Sequence, residues 1–233
     1  MKDIKAILFD LDGTLLDSNM NNFLPHYFKR LSARVAHIAP PKEFIAHLLA
    51  ATEAMMANDG RATNEQVFSA AFYPFAGHTR AELEPIFQDF YANDFPRLRE
   101  HTRRKPEARP VVQLAFALGY DVVISTNPLF PETATRQRLE WAGVDDFPYR
   151  LVTTYENSRF CKPNLRYFDA IADYLGHAPE TCLVVGDEDM DMVAGRAGCP
   201  TFLVPGPSTN LDPATPEPSY RGTLAELAEL LER

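Results

Sequence analysis

The second half of the chain alternates predicted strands with predicted helices, and this alternation limits the possible folds more than any other feature. Short apolar runs cover residues 121–126, 150–154, 181–186 and 201–205, and stretches with helical spacing of apolar residues separate them. Strands that alternate with helices pair in parallel, with right-handed crossovers and helices on both faces. The pattern therefore predicts an α/β fold built on a doubly wound parallel sheet.

The predicted helices of this half have clear ends. They cover residues 110–118, 131–142, 164–175 and 189–197, and glycine follows each of them. The prolines between residues 200 and 220 predict an extended loop. A final amphipathic helix follows it.

A helical insert interrupts this α/β pattern near its start. Residues 4–9 (IKAILF) form one more buried strand, whereas residues 19–102 show helical texture without a good strand. We therefore expect a core domain of residues 1–18 and 103–233 and a helical cap of residues 19–102. The insert leaves the core just beyond the first strand, which suits a lid over a site.

Composition excludes several classes of partner. The 233 residues carry a formal net charge of −9, which opposes general attraction to nucleic acid or anionic lipid. No apolar run approaches the roughly 18 residues that a membrane span needs. The three cysteines lack CxxC spacing, which argues against a disulfide framework or a zinc site. We expect a cytoplasmic protein, a monomer or a homodimer, with no nucleic-acid or membrane partner.

Polar side chains follow four of the predicted strands, where each strand ends. Because parallel strands bring their carboxyl ends to one edge of a sheet, we expect these side chains to converge. They are Asp10 and Asp12, Thr126 and Asn127, Lys162, and Asp187 and Asp191.

The acidic members of this set require a compensating charge. At about 4 Å and an effective dielectric of 20, a like-charge pair costs roughly 4 kcal/mol. Four carboxylates face only Lys162 in the predicted cluster, and nothing about folding requires that arrangement. A divalent cation would balance most of the charge, and all-oxygen ligands favour Mg²⁺.

These segments resemble the four signature motifs of the haloacid dehalogenase (HAD) superfamily of phosphohydrolases. The matching segments are FDLDGTLLDS, ISTN, the Lys-Pro after a strand, and VVGDEDMDMVAGRAG, in the family's order. The resemblance implies a HAD-like Rossmannoid core, and the insert is similar in position and texture to a type 1 cap.

The resemblance also implies a role for each residue. Asp10 would be the nucleophile that forms an aspartyl-phosphate, and Asp12 the general acid and then base. Thr126 and Asn127 would hold phosphoryl oxygens or the loop around them. Lys162 would neutralise charge on the phosphate and on Asp10.

The metal ligands follow from the same resemblance. Asp187 would bind Mg²⁺ together with Asp10 and the backbone carbonyl of Asp12. Asp191 would bind the ion directly or hold the outer shell in place.

The reaction that the resemblance implies is hydrolysis of a small phosphorylated metabolite. Family dehalogenases lack the second aspartate, so Asp12 favours phosphoryl transfer over carbon–halogen cleavage. Phosphonatases use a cap lysine, and the insert holds only Lys29 and Lys42. A β-phosphoglucomutase-like phosphosugar mutase remains an alternative with the same motifs. A non-catalytic binding protein on the same fold is a further alternative, which the intact motif residues disfavour.

Overall fold

Buried apolar strands form the centre of the molecule. The computed structural model describes residues 3–207 and 209–233, and in it the first strand is fully buried between two parallel neighbours. In chain order the strands are β1 (Ala6–Phe9), β2 (Leu16–Asp17), β3 (Arg103–Arg104), β4 (Asp121–Ile124), β5 (Leu151–Val152), β6 (Cys182–Gly186), β7 (Thr201–Leu203) and β8 (Tyr220–Arg221).

Six of these strands form one sheet in the order β5-β4-β1-β6-β7-β8, with every neighbouring pair parallel. After β1 the chain adds β4 and β5 on one side of this strand, and it then crosses over to add β6, β7 and β8 on the other side. Open parallel sheets bind ligands at the carboxyl ends of the strands, near such a reversal. The predicted doubly wound parallel sheet is confirmed.

Helices cover both faces of the sheet and form the insert. They are α1 (Met20–Arg34), α2 (Pro41–Met56), α3 (Asn64–Ala76), α4 (Arg80–Asn93), α5 (Ala108–Ala117), α6 (Glu132–Ala142), α7 (Leu165–Leu175), α8 (Asp189–Met192) and α9 (Leu224–Leu231). Short 3₁₀ helices span Phe95–His101, Pro179–Thr181 and Val193–Ala197.

Alternation along β1 divides the core into two layers. Ile7 and Phe9 pack into the larger cluster, which includes α5, α9 and the insert, whereas Ala6 and Leu8 face the smaller cluster around α7. Successive side chains of a strand point to opposite faces, so a fully apolar strand is what a sheet covered on both sides requires.

Several predicted bounds were wrong. The strand predicted over 150–154 is limited to β5, and the helix predicted over 189–197 is a short α8 followed by a 3₁₀ helix. The predicted loop ends in β8, a sixth strand that the proline-rich sequence did not indicate. Two-residue strands carry too few side chains for a period-2 pattern to be visible.

The insert lies between β2 and β3, which pair antiparallel where the chain leaves and re-enters the core. The start of α3 is held against core loops: the backbone N–H of Asn64 donates to the carbonyl of Ser158 at 2.8 Å, and the N–H of Glu65 to that of Tyr155 at 2.8 Å. The helices of the insert therefore sit directly over the sheet edge. The division at residues 18 and 103 stays a prediction.

No helix in the described part of the chain is both long enough and apolar enough to cross a membrane.

Candidate active site

The polar segments predicted to converge lie together at the carboxyl edge of the sheet. Asp10 directly follows β1, Asp187 directly follows β6, and Thr126 lies two residues beyond β4. All three side chains are buried, and they line one cavity together with Lys162 from the loop before α7. Each segment is fixed by a buried strand, so the chain positions these groups with little freedom.

Lys162 links two of the carboxylates. Its Nζ lies 2.9 Å from Oδ1 of Asp10 and 2.5 Å from Oδ1 of Asp191, and its side chain is only 2% exposed. Burial alone would lower the pKa of this amine, but the two carboxylates outweigh burial and raise its pKa. Lys162 is therefore a fixed positive charge inside the cluster.

Three of the carboxylates form a compact oxygen cluster. Asp10, Asp187 and Asp191 each offer one oxygen, and these atoms lie within 4.8 Å of one another. Burial, followed by repulsion from Asp10 and Asp191, raises the pKa of Asp187 to about 8. Burial raises the pKa of Asp191 to about 7 although Lys162 opposes the shift. Crowded buried carboxylates of this kind fit a hard divalent cation.

Two glycines provide the space that these carboxylates occupy. A Cβ on Gly13, whose φ is +88°, would lie 2.2 Å from Oδ2 of Asp187. A Cβ on Gly186 would lie 2.1 Å from Cγ of Asp191. Side chains at either position would displace a carboxylate, so both glycines are structural requirements of the cluster.

The two oxygens of Asp191 are already engaged. Oδ1 accepts from Lys162, and Oδ2 accepts from the backbone N–H of Asp187 at 3.2 Å and of Glu188 at 3.4 Å. Of the two roles predicted for Asp191, direct binding of the ion or support of its outer coordination shell, these contacts favour the second. Asp10 and Asp187 are then the side chains best placed to hold an ion.

Asp12 has a partner that the sequence analysis missed. Arg138 on α6 is 1% exposed and forms an ion pair with Oδ2 of Asp12, while the Ser18 hydroxyl donates to Oδ1 at 2.8 Å. The Arg138 guanidinium also lies 4.6 Å from the ring centre of Phe130. Burial raises the pKa of Asp12, although Arg138 opposes the shift. The Asp12 side chain is 12% exposed, and burial and the arginine shift its pKa in opposite directions.

A sequence signal for Arg138 did exist. Within α6 the buried face carries Ala134, Leu139 and Ala142, and Arg138 lies on that face one turn after Ala134. An arginine on the buried face of a helix needs a partner, because an unpaired buried charge is costly. The sequence could not indicate that the partner was Asp12, 126 residues away.

Thr126 and Asn127 shape the loop beside the carboxylates. The carbonyl of Thr126 accepts from the Thr153 hydroxyl at 2.7 Å and the Tyr167 hydroxyl at 3.0 Å, and its side chain borders the cavity. Oδ1 of Asn127 accepts from the backbone N–H of Lys162 at 3.2 Å. Asn127 thus joins two of the converging loops.

The cavity between the sheet edge and the insert has a volume of about 660 Å³. Its floor contains the carboxylates, Lys162 and Arg138, and its opposite wall comes from α1, α2, α3 and α4. A covered cavity with a few convergent polar groups is the usual form of an enzyme site.

Comparison with known proteins places this geometry in context. The model of the haloacid dehalogenase-like hydrolase family matches residues 4–198. A phosphoglycolate phosphatase of Chromobacterium violaceum is 28% identical over 214 residues, which are 88% of this chain and 86% of that protein.

Solved structures share the fold. A HAD phosphatase from Thermococcus onnurineus has a TM-score of 0.62 at 18% identity and covers 98% of both chains. The L-2-haloacid dehalogenase of Xanthobacter autotrophicus has a TM-score of 0.57 at 17% identity, also over 98% of both chains. Because phosphatases and dehalogenases both appear among these neighbours, the fold does not decide the reaction.

Proposed function

Because the chain belongs to the haloacid dehalogenase-like hydrolase family, we propose that it is a Mg²⁺-dependent phosphatase acting on a small phosphorylated metabolite through an aspartyl-phosphate on Asp10. The observation that carries the proposal is the pair of carboxyls, Asp10 and Asp12, opening into one cavity with different partners. The two carboxyls therefore have different electrostatic environments, as nucleophilic and acid–base roles require.

Asp10 is the nucleophile in this proposal. Its carboxylate forms a bond to phosphorus, and the bond between phosphorus and the leaving oxygen breaks. Lys162, whose Nζ lies 2.9 Å from Oδ1 of Asp10, orients that carboxylate and stabilises negative charge on the phosphoryl oxygens. Thr126 and the loop held by Asn127 orient the same oxygens.

Asp12 moves the protons. It donates a proton to the leaving oxygen, and in the second half it accepts a proton from the water that attacks phosphorus. The bond between phosphorus and Asp10 then breaks and phosphate leaves. Burial, which raises the pKa of Asp12, supports the proton-carrying form, and Arg138 supports the carboxylate form. The neutral and ionised states of Asp12 thus each have a stabilising feature.

Asp10 and Asp187 would hold Mg²⁺, with Asp191 in the outer shell. The ion supplies positive charge that neutralises the cluster and the transferring phosphoryl group. Lys162 and Arg138 carry two positive charges against the four carboxylates Asp10, Asp12, Asp187 and Asp191, and a divalent cation would supply the other two.

The presence of Asp12 favours phosphoryl transfer over dehalogenation. Attack on carbon releases a halide that needs no proton, whereas an alkoxide leaving group needs one. Ser18 and Arg138 hold the Asp12 carboxyl at the cavity, which supports a role at the leaving group.

The test is phosphate release from a panel of phosphate monoesters, with and without Mg²⁺. We expect Asp10→Asn to lower kcat by at least about 10³-fold. The exposed Asp173→Asn on α7 is the matched control and should retain full activity. Turnover that survives in Asp10→Asn would disprove the nucleophile.

The same panel addresses the two alternatives. Isomerised sugar phosphate without free phosphate would favour a phosphosugar mutase. Failure to convert any monoester in Mg²⁺ would favour a non-catalytic binding protein.

A further inference from the structure

The wall of the cavity opposite the carboxylates is apolar and aromatic. Its side chains come from the four helices of the insert and from the loop after β4, and the hydrophobic members include Leu24, Phe28, Leu49, Phe68, Phe87 and Phe130. This wall contrasts with the charged floor. A phosphoryl group bound at the floor would direct its leaving group toward the apolar side.

The volume exceeds what a two-carbon leaving group needs. Sites of roughly 300 to 1,000 Å³ bury most of the surface of a drug-sized molecule, and this cavity has about 660 Å³. A small hydrophilic leaving group would leave the apolar wall in contact with water. A ring-sized apolar leaving group would bury that wall.

The charge of the cavity opposes a second anionic group on the substrate. Among the lining residues that the structure describes, eight are acidic and two, Arg138 and Lys162, are basic. Both basic side chains already pair with carboxylates of the floor. A substrate carboxylate would therefore meet net negative charge without a cation assigned to it.

The charged groups at the insert side are also paired with one another. Arg80 reaches Oε1 of Glu65 at 2.5 Å and Oε2 of Glu84 at 2.7 Å, so one arginine serves two carboxylates. On the core side of the cavity, the Glu156 carboxylate is held by the backbone N–H of Glu132, which donates to it at 2.9 Å. No cation from this side is left to bind an anionic leaving group among the described lining residues.

Tyrosines supply the polar contacts of this wall without adding charge. The hydroxyls of Tyr27 and Tyr91 lie 3.0 Å apart, and burial raises the pKa of Tyr27 to about 12. Burial, together with Glu84, raises the pKa of Tyr73 to about 12. All three rings border the cavity and are neutral near pH 7.

We propose that the substrate is a phosphate monoester whose leaving group is apolar, about the size of an aromatic ring, and free of carboxylate or phosphate groups. This inference rests on the proposed phosphatase function and adds the chemical class of the leaving group. It departs from phosphoglycolate, after which the Chromobacterium violaceum relative is named, because phosphoglycolate carries a carboxylate on a two-carbon leaving group.

The test compares monoesters of primary alcohols, so that leaving-group reactivity changes little along the series. Ethyl phosphate, phosphoglycolate, phenethyl phosphate and para-carboxyphenethyl phosphate are assayed for phosphate release in Mg²⁺. Burial of a ring predicts a kcat/KM for phenethyl phosphate roughly 10- to 100-fold above that for ethyl phosphate. The para-carboxylate should remove most of that advantage.

A wall variant makes the charge argument specific. Leu49 on α2 borders the cavity and is 43% exposed, so Leu49→Arg places a cation at the wall with little effect on folding. It should improve kcat/KM for para-carboxyphenethyl phosphate relative to phenethyl phosphate by about 10-fold. Leu118→Arg, 46% exposed at the end of α5 and outside the cavity lining, adds the same charge and should leave that ratio unchanged.

The outcomes separate this inference from the proposed function. If phosphoglycolate or ethyl phosphate releases phosphate as fast as phenethyl phosphate, the phosphatase stands and the leaving-group class is wrong. An unchanged ratio in Leu49→Arg likewise overturns the class. If none of the four esters releases phosphate, the proposed function fails, and this inference fails with it.

Discussion

The two walls of the cavity are built in opposite ways. The sheet-edge wall holds buried charges, each fixed by a partner: Lys162 with Asp10 and Asp191, and Arg138 with Asp12. The insert wall holds apolar and aromatic side chains, such as Phe68, which stacks on the fully buried Phe72 at a centroid distance of 5.1 Å. Both walls face the same space.

Because of this difference, we expect the two walls to differ in how well they tolerate substitutions. Removal of one partner from a buried ion pair leaves an uncompensated charge, which costs about 3–5 kcal/mol. Replacement of one apolar side chain by another of similar size usually costs less than about 1.5 kcal/mol. We therefore expect the sheet-edge wall to fix the reaction and the insert wall to permit changes in substrate.

The largest expected effect concerns Asp12. Asp12→Asn cannot move a proton, so kcat for phenethyl phosphate should fall by about 10³-fold. With para-nitrophenyl phosphate, whose leaving group needs no proton, the variant should release a burst of about one equivalent of nitrophenolate and then turn over slowly. Rapid-mix absorbance measures the burst.

The control for Asp12 is Asp17→Asn in the exposed position of β2, which should keep wild-type kinetics. Full steady-state activity of Asp12→Asn would show that Asp12 is not the acid–base residue. The expectation that the sheet-edge wall alone fixes the reaction would then be wrong.

Arg138 gives the largest expected effect on stability. Arg138→Met leaves the largely enclosed Asp12 carboxylate without its cation, so the free energy of unfolding should fall by about 3 kcal/mol. Arg166→Met is the matched control: Arg166 lies 5.3 Å from the ring centre of Phe160 but is exposed, so its loss should cost less than about 0.5 kcal/mol. Urea unfolding of both variants measures the two losses of unfolding free energy. A similar loss in both would show that burial and ion pairing of Arg138 do not determine its contribution to stability.

The acidic cluster predicts a pH dependence in the absence of metal. Burial raises the pKa of Asp187 to about 8 and that of Asp191 to about 7, far above the pKa near 4 of unfolded aspartate. Between these pKa values the folded protein binds more protons than the unfolded chain, so the contribution of these two carboxyls to stability is fully present below about pH 4 and is lost as pH rises through about 7 to 8.

Thermal unfolding in EDTA measures this effect. The midpoint should fall by several °C between about pH 5 and about pH 8, and Mg²⁺ should raise it more at the higher pH. Asp187→Asn should flatten the pH dependence. A midpoint that Mg²⁺ does not change at any pH would contradict binding of Mg²⁺ at this cluster.

The smallest expected effect lies in the insert wall. Tyr27→Phe removes the hydroxyl that contacts the Tyr91 hydroxyl, which should cost about 1 kcal/mol. Tyr91→Phe should cost a similar amount, and the double variant little more than either single one. Additive losses would show that the two hydroxyls do not interact. Activity toward phenethyl phosphate should stay within about twofold.

The sequence by itself determined the sheet and the charged residues at its edge. Continuous apolar runs that end in Asp10 and Asp187 are local patterns, and parallel strands must bring their ends to one edge. Three helices begin with capping boxes, which are also local because each needs only residues three positions apart: Thr63–Gln66, Thr79–Glu82 and Thr223–Glu226.

Only the tertiary structure decided which side chains meet across long sequence distances. The partner of Asp12 is Arg138, which local patterns could place on a buried helix face but could not pair. The direction of Phe68 and Leu49 toward the cavity depends on how α2 and α3 pack over the sheet. Helix periodicity shows which face of a helix is apolar. It does not show whether that face packs on the sheet, packs on another helix or lines a cavity, because this depends on how the elements pack together.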